Sequence, residues 1–150
     1  MCKVINLSTK RGKIYIADIE TFNEIDADLY IYATTYATDI PEGTVHVEQF
    51  APSYDLFIQK NAWIDKGVFK NRFQEFVERY IKEINQRKET QKALNRLEEL
   101  IGKGLDIVLF DDCYLYEYCH LQVFKKVLKE RGFRVYSPFD KRYPISIKRY

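Results

Sequence analysis

The 150 residues include one tryptophan, one methionine and two histidines, with six glycines, four prolines and three cysteines. Each scarcity excludes something. So little Gly and Pro removes the collagen-like and low-complexity classes. No window approaches the roughly 18 consecutive apolar residues of a membrane span, so no membrane partner is expected. Residues 1–13 lack an apolar stretch and a cleavage signal, which leads us to expect a cytoplasmic chain without a secretory peptide. Three cysteines (Cys2, Cys113 and Cys119) are an odd number. Free thiols are therefore expected rather than a disulfide framework. There is no CxxC pair, no GxxxxGK[ST] loop, no internal repeat and no linker, and a single domain over residues 1–150 is the expected organisation.

Aromatic residues and charge asymmetry are what the chain does have. Twelve Tyr and ten Phe suit both cores and contact surfaces, because a tyrosine ring can be buried while its hydroxyl reaches a partner. Residues 1–60 hold five basic and nine acidic side chains, whereas residues 125–150 hold nine basic and two acidic. The C-terminal segment is thus basic and aromatic.

Hydrophobic spacing gives the elements. Val4–Leu7, Ile14–Ala17 and Leu29–Thr34 read as strands, Glu20–Ile25 as a helical turn, and Val45–Val47 as a short edge strand after a turn at Pro41–Gly43. From Val68 the apolar positions Phe69, Phe73, Phe76, Tyr80 and Ile84 recur every three or four residues, the period of an amphipathic helix. Leu94, Leu97 and Ile101 continue the pattern in a second helix closed by Gly102. Ile107–Phe110 is a continuous apolar run, the mark of a strand covered on both faces. A helix over Tyr118–Arg131 ends at Gly132, and Arg134–Tyr136 reads as a last core strand. Strands alternating with helices imply an α/β fold, with a mostly parallel sheet, helices packed on its faces and right-handed crossovers.

Four groups of residues carry candidate chemistry. Cys119, in the first turn of a helix, would feel the helix's partial positive charge and gain nucleophilic character, with His120 as acid, base or orienting group. Asp111 and Asp112, at the end of a buried strand, would bind or activate a substrate. Yet His120, Phe124 and Val127 share one helical stripe, so a core cysteine and a satisfied buried histidine explain the same residues. Cys113, Cys119, His120 and the two aspartates lie close in sequence, but the spacing is poor for zinc and no metal is expected. Ser8, Thr9, Lys10 and Arg11 follow a strand and form either a phosphate cradle or a solvated turn. Lys141, Arg142, Lys148 and Arg149, interleaved with Tyr143 and Tyr150, resemble the mixture that single-stranded nucleic acids favour.

Several motifs occur together in order. They are Phe50-Ala51-Pro52-Ser53-Tyr54-Asp55-Leu56, an F-x-x-R-Y pattern within Phe73–Tyr80, an L-x-x-L helix, the strand Ile107–Phe110, and Cys119-His120. This order resembles the uncharacterised YeaO-like family, domain of unknown function 488 (DUF488), with its small phage and bacterial members. The resemblance runs over about residues 45–135. It implies an α/β domain with a pocket at the carboxyl ends of the strands, near a Cys-His-Arg motif. Two departures stand out: Asp111 replaces a cysteine after the strand, and Leu121 replaces the arginine after Cys-His. Lys125, one turn on, substitutes for that arginine only if its side chain reaches back.

The combined expectation is a small anionic or nucleotide-like ligand, needing no cofactor. It would sit between the Ser8–Lys13 loop, Asp111–Asp112 and Tyr118–His120, with Lys125 nearby. The alternative is a non-catalytic module binding nucleic acid or a host protein through the basic, Tyr-rich C-terminal surface, as a phage-encoded factor would. Residue types alone do not decide between catalysis and binding, nor do they set an oligomeric state.

Overall fold

A computed structural model describes residues 11–113 and 116–139. The expected strand at Val4–Leu7, the ligand candidates Ser8, Thr9 and Lys10, and the basic residues Lys141, Arg142, Lys148 and Arg149 lie outside the described residues. Five strands form one sheet: β1 (Ile14–Asp18), β2 (Leu29–Tyr32), β3 (Val45–His46), β4 (Ile107–Asp111) and β5 (Val135–Tyr136). Their order is β3-β2-β4-β1-β5, and every pairing is parallel. The chain is an α/β protein. The helices are α1 (Tyr54–Asp65), α2 (Phe69–Gln86), α3 (Lys88–Gly102) and α4 (His120–Glu130).

Side-chain alternation divides the sheet into two faces. Ile14, Ile16, Ile31, Ile107 and Leu109 point to one side, where they pack with the buried residues of all four helices. Ala17, Tyr32, Val108 and Phe110 point to the other, covered by the 3-10 turn Phe22–Glu24 and its flanks. There Phe22 stacks on Phe110 with ring centroids 3.9 Å apart. β4 is central and buried at all five positions, as its unbroken apolar run requires.

The expected elements shift in four places. The Arg134–Tyr136 strand is a two-residue edge strand rather than a core strand: Val135 is buried, but Tyr136 faces solvent. Gly102 is still helical, and the left-handed residue that ends α3 is Gly104, at φ 92°. The Tyr118–Arg131 helix begins at His120, after a 3-10 turn at Tyr116–Tyr118. Helix α1 had no counterpart in the spacing analysis, because only Leu56 and Trp63 of its twelve residues are buried. Its start is nonetheless marked by Ser53, whose hydroxyl oxygen accepts the Leu56 N–H at 3.2 Å.

α1 is placed by polar contacts on the segment before it. The Tyr80 hydroxyl donates to the Phe50 carbonyl at 2.5 Å, Arg87 to Ala51 at 2.9 Å, and Thr90 to Gln49 at 2.7 Å. Ser53 donates from its backbone N–H and its hydroxyl to Glu83. Two helices thus hold the approach to a third.

Tyr80→Phe leaves the buried Phe50 carbonyl without its donor, which costs about 1–3 kcal/mol. Urea unfolding should show a lower midpoint at unchanged slope. A midpoint equal to wild type would mean that this hydrogen bond does not hold the α1 approach.

Candidate active site

In a parallel sheet all carboxyl ends lie along one edge. The β2–β4 register sets Tyr32 against Phe110, so Ala33 and Asp111 come next, side by side. On β1, Asp18 is in register with Asp111. Asp111 continues the alternation of Ile107 and Leu109, so its carboxylate turns toward the helices and is only 7% exposed. The Asp112 N–H donates to it at 2.7 Å, and the Thr34 hydroxyl bonds to it as well.

His120, the first residue of α4, meets Asp111 from the helix layer. Its Nε2 lies 2.7 Å from the Ala33 carbonyl oxygen and 3.4 Å from Asp111 Oδ2. A carbonyl only accepts, so Nε2 carries the proton and Nδ1 keeps its lone pair. Nδ1 in turn lies 3.8 Å from Cys113 Sγ and 3.9 Å from Cys119 Sγ. The Tyr80 ring stands edge-on to the imidazole at 5.8 Å.

Burial governs the charges. It pushes Asp111 up to about 6, against the opposing pull of the Asp112 N–H, Lys60 and Thr34. It pushes His120 down to about 3, helped by the positive charge of Lys60 and opposed by the Ala33 hydrogen bond. The 3.4 Å approach is therefore a neutral N–H beside a carboxylate, not an ion pair. Lys60, on α1, is itself lowered by burial, with Asp111 pulling it back. Its ammonium lies 5.4 Å from the Phe57 ring centroid.

Cys113 and Cys119 are joined by a disulfide. This corrects the expectation of free thiols: Cys113, just past β4, and Cys119, six residues on at the start of α4, lie with Cα atoms 5.4 Å apart, close enough to bridge. Cys119 is the N-cap of α4 rather than a first-turn residue. The donor atoms of Cys113, Cys119 and His120 all lie within 4.8 Å of one another, so the poor sequence spacing does not keep them apart.

The expected residues are only partly brought together. Asp111, Cys119 and His120 meet, and Asp112, exposed, borders them. Arg11 does not join them, because it precedes β1 at the amino edge of the sheet, one strand length from Asp111. Lys125 does not reach back, since its ammonium donates to Ser137 at 3.0 Å. Tyr118 packs on α2, its ring 4.9 Å from that of Phe73. Spacing analysis missed Lys60, Thr34 and the Ala33 carbonyl. Across the same carboxyl edge, on the opposite face of the sheet from His120, lies a cleft of about 570 Å³ lined by Ile19, Tyr32, Tyr36, Asp39 and Glu42. Among the described residues no helix is long and apolar enough to cross a membrane.

Residues 15–132 match a family model described as DUF488-N3a, the active DUF488-N3 subclade. The match agrees with the motif resemblance and extends it upstream through β1 and β2. No curated protein and no solved structure matches the chain significantly.

In the disulfide form, His120 and Asp111 pull stability in opposite directions with pH. His120 is depressed from 6.5 to about 3, so its contribution is complete above 6.5 and is lost as pH falls toward 3. Asp111 is raised from 3.8 to about 6, so its contribution is complete below 3.8 and is lost as pH rises through 6. Between those limits the folded state gains a proton on Asp111 and lacks one on His120, and the two slopes offset. Asp111→Asn should remove the offset. Relative to wild type, its unfolding free energy should then fall by on the order of 1 kcal/mol per pH unit between about pH 6 and 4.5. Parallel curves for the two proteins would refute the opposed titrations.

Proposed function

The chain belongs to the DUF488 family, and from that premise we propose that it is a thiol-dependent enzyme acting on a small, nucleotide-like substrate at the carboxyl edge of its sheet. The observation that carries this reading is the line from Asp111 through His120 to the two sulfurs. A base lies within reach of a nucleophile and is oriented from behind by a carboxylate, the relation that activates a weak nucleophile. The family model's description of its subclade as active accords with catalysis.

Reduction of the disulfide comes first, a dithiol supplying two electrons and two protons and becoming a disulfide itself. Cys113 is the attacking sulfur, because it is half-buried whereas Cys119 is 4% exposed. Burial holds His120 down to about 3 in the disulfide form, so its Nδ1 takes the proton only as the thiolate forms beside it, the new negative charge and Asp111 together stabilising the imidazolium. The thiolate electron pair forms the bond to the substrate's electrophilic atom. The leaving group departs with the electrons of the broken bond and takes the proton from Nδ1. Water, or the hydroxyl of an acceptor molecule, then frees the covalent intermediate by the same proton route, so the net reaction is hydrolysis with water and transfer with the acceptor.

Chemistry supports the substrate class. Tyr36, 62% exposed and three residues past Ala33 at the carboxyl edge, offers a ring face for stacking a base, whereas the acidic cleft it borders on the opposite face of the sheet is not the thiol site. Lys60, beside Asp111, supplies positive charge for an anionic group.

Alkylation of the reduced, metal-free protein with iodoacetamide, followed by peptide mass mapping, tests the centre. Cys113 should be modified faster than Cys119, and both His120→Asn and Asp111→Asn should slow it by about tenfold or more. Equal rates at the two cysteines, or rates insensitive to both substitutions, would sink the thiol reading. For the substrate class, a nucleoside or nucleotide at one hundred times its Kd should stabilise the protein by about 2.7 kcal/mol. Tyr36→Ala should reduce that thermal shift, and a shift unchanged by it would place the ligand elsewhere.

A further inference from the structure

The same three donors can hold something other than a substrate. We propose that, once the disulfide is reduced, Cys113, Cys119 and His120 form a three-ligand site for a thiophilic divalent cation, zinc above all, with a fourth position left open. This goes beyond the thiol-enzyme reading and does not depend on it. A metal ion and an electrophile would compete for Cys113, and each is detected by its own measurement.

Distances fit the coordination. Zinc bonds of about 2.3 Å to sulfur and about 2.0–2.1 Å to nitrogen put tetrahedral S···N edges near 3.6 Å. The two sulfurs lie 3.8 and 3.9 Å from Nδ1. Separating the sulfurs after reduction needs movement mainly of Cys113, which sits on the loop between β4 and α4, whereas Cys119 is fixed at the N-cap. Adjacent Cys119 and His120 reach one point because the backbone changes course between them: Cys119 is extended, at ψ 144°, and His120 is helical.

The surroundings of the ligands argue more strongly than the distances. A metal-bound histidine donates its other ring N–H to a carbonyl or carboxylate, which fixes both tautomer and ring orientation. Here Nε2 is already committed to the Ala33 carbonyl, with Asp111 beside it, and Nδ1 is the nitrogen left to bind. The Ala33 carbonyl is itself held in place, because the Ala33 N–H donates to Phe110 at 2.8 Å. Two thiolates and a neutral imidazole make a charge-neutral complex with a divalent cation, which suits a site this deeply buried. Thiolate ligands select zinc over magnesium or calcium.

The chemistry balances with a dithiol as reductant and a disulfide as oxidant. A dithiol gives two electrons and two protons to the disulfide, yielding two thiols and its own disulfide. Zinc then displaces both thiol protons to solvent as it binds. Reoxidation by a second disulfide, which takes the two electrons and is itself reduced to two thiols, rebuilds the sulfur–sulfur bond and expels the ion, so Cys113, Cys119 and His120 form a redox-gated metal site.

The test uses the full chain, reduced with a phosphine, desalted under argon and titrated with cobalt(II), then with zinc against a chromophoric chelator. Reduced protein should bind one equivalent of cobalt, with thiolate-to-cobalt charge transfer in the near ultraviolet and the visible bands of tetrahedral coordination. Reoxidised protein should bind none. Cys113→Ser should abolish the charge-transfer intensity of one sulfur, and Asp111→Asn should weaken zinc binding by about ten- to a hundredfold through the histidine. Reduced wild type that shows no thiolate charge transfer, or that binds zinc equally well after reoxidation, would overturn the proposal. Either result leaves the alkylation rates of the metal-free protein untouched, so the two readings fail separately.

Discussion

The arrangement at the carboxyl edge depends on one hydrogen bond, from Nε2 of His120 to the carbonyl of Ala33. Both partners need it. His120 is 2% exposed, and a buried N–H without an acceptor costs about 1–3 kcal/mol. Ala33 lies just past the end of β2, so its carbonyl has left the β2–β3 ladder, whose last bond runs from Val47 to Tyr32. The bond joins elements 87 residues apart and fixes the depth at which α4 starts above the sheet. It also decides the tautomer, which turns an ordinary buried histidine into one whose free lone pair faces two sulfurs. Remove the carbonyl from that position and the imidazole loses its orientation, whatever the sulfurs do.

Much of this framework is legible in the sequence because it rests on periodicity. The apolar run of β4 and the three-and-four spacing of α2 and α3 report burial directly, and burial is what the pattern encodes. His120 is the instructive case. Its stripe with Phe124 and Val127 reads as a core face, and the structure buries it there with its Nε2 satisfied by the Ala33 carbonyl. What could not be read is whatever depends on convergence. Lys60 lies on a helix with two buried residues and no clear stripe, and its meeting with Asp111 is a consequence of how α1 docks. The Ala33 carbonyl has no side-chain signature at all. Cys113 and Cys119 carry no recognisable metal spacing, since their approach is set by the course of a loop.

Of the composite pocket expected from residue types, Arg11 is kept apart from Asp111 for a topological reason. A phosphate cradle after one strand and an acidic pair after another belong to the same site only if both follow carboxyl ends. Arg11 leads into β1, so in a parallel sheet it sits at the opposite edge from Asp111. The leucine that stands where the resemblance implies an arginine is also placed by the fold. Leu121 is 1% exposed and part of the helix-side core, so this position looks inward, where an unpaired guanidinium would be costly. Lys125 donates to Ser137, and the positive charge that acts on Asp111 comes from Lys60 on α1, a different element from the one that carries the motif.

A polar centre in a dry core is expensive, and here the expense is spread over the fold. Asp111 is held by its neighbour's N–H and by Thr34, and His120 by the end of β2 and the edge of Tyr80. Tyr80 in turn donates to Phe50 and so positions the approach to α1, which brings Lys60. The groups that would tune the chemistry are therefore the groups that hold the layers together. Substitutions at Tyr80 or Thr34 should move stability and site geometry in concert. The Cys113 sulfur is different: it is bonded to Cys119, and the hydrogen bonds beneath it do not involve that bond. A rigid base under a sulfur that can exchange partners is the physical arrangement that the proposed thiol and metal chemistries would both require.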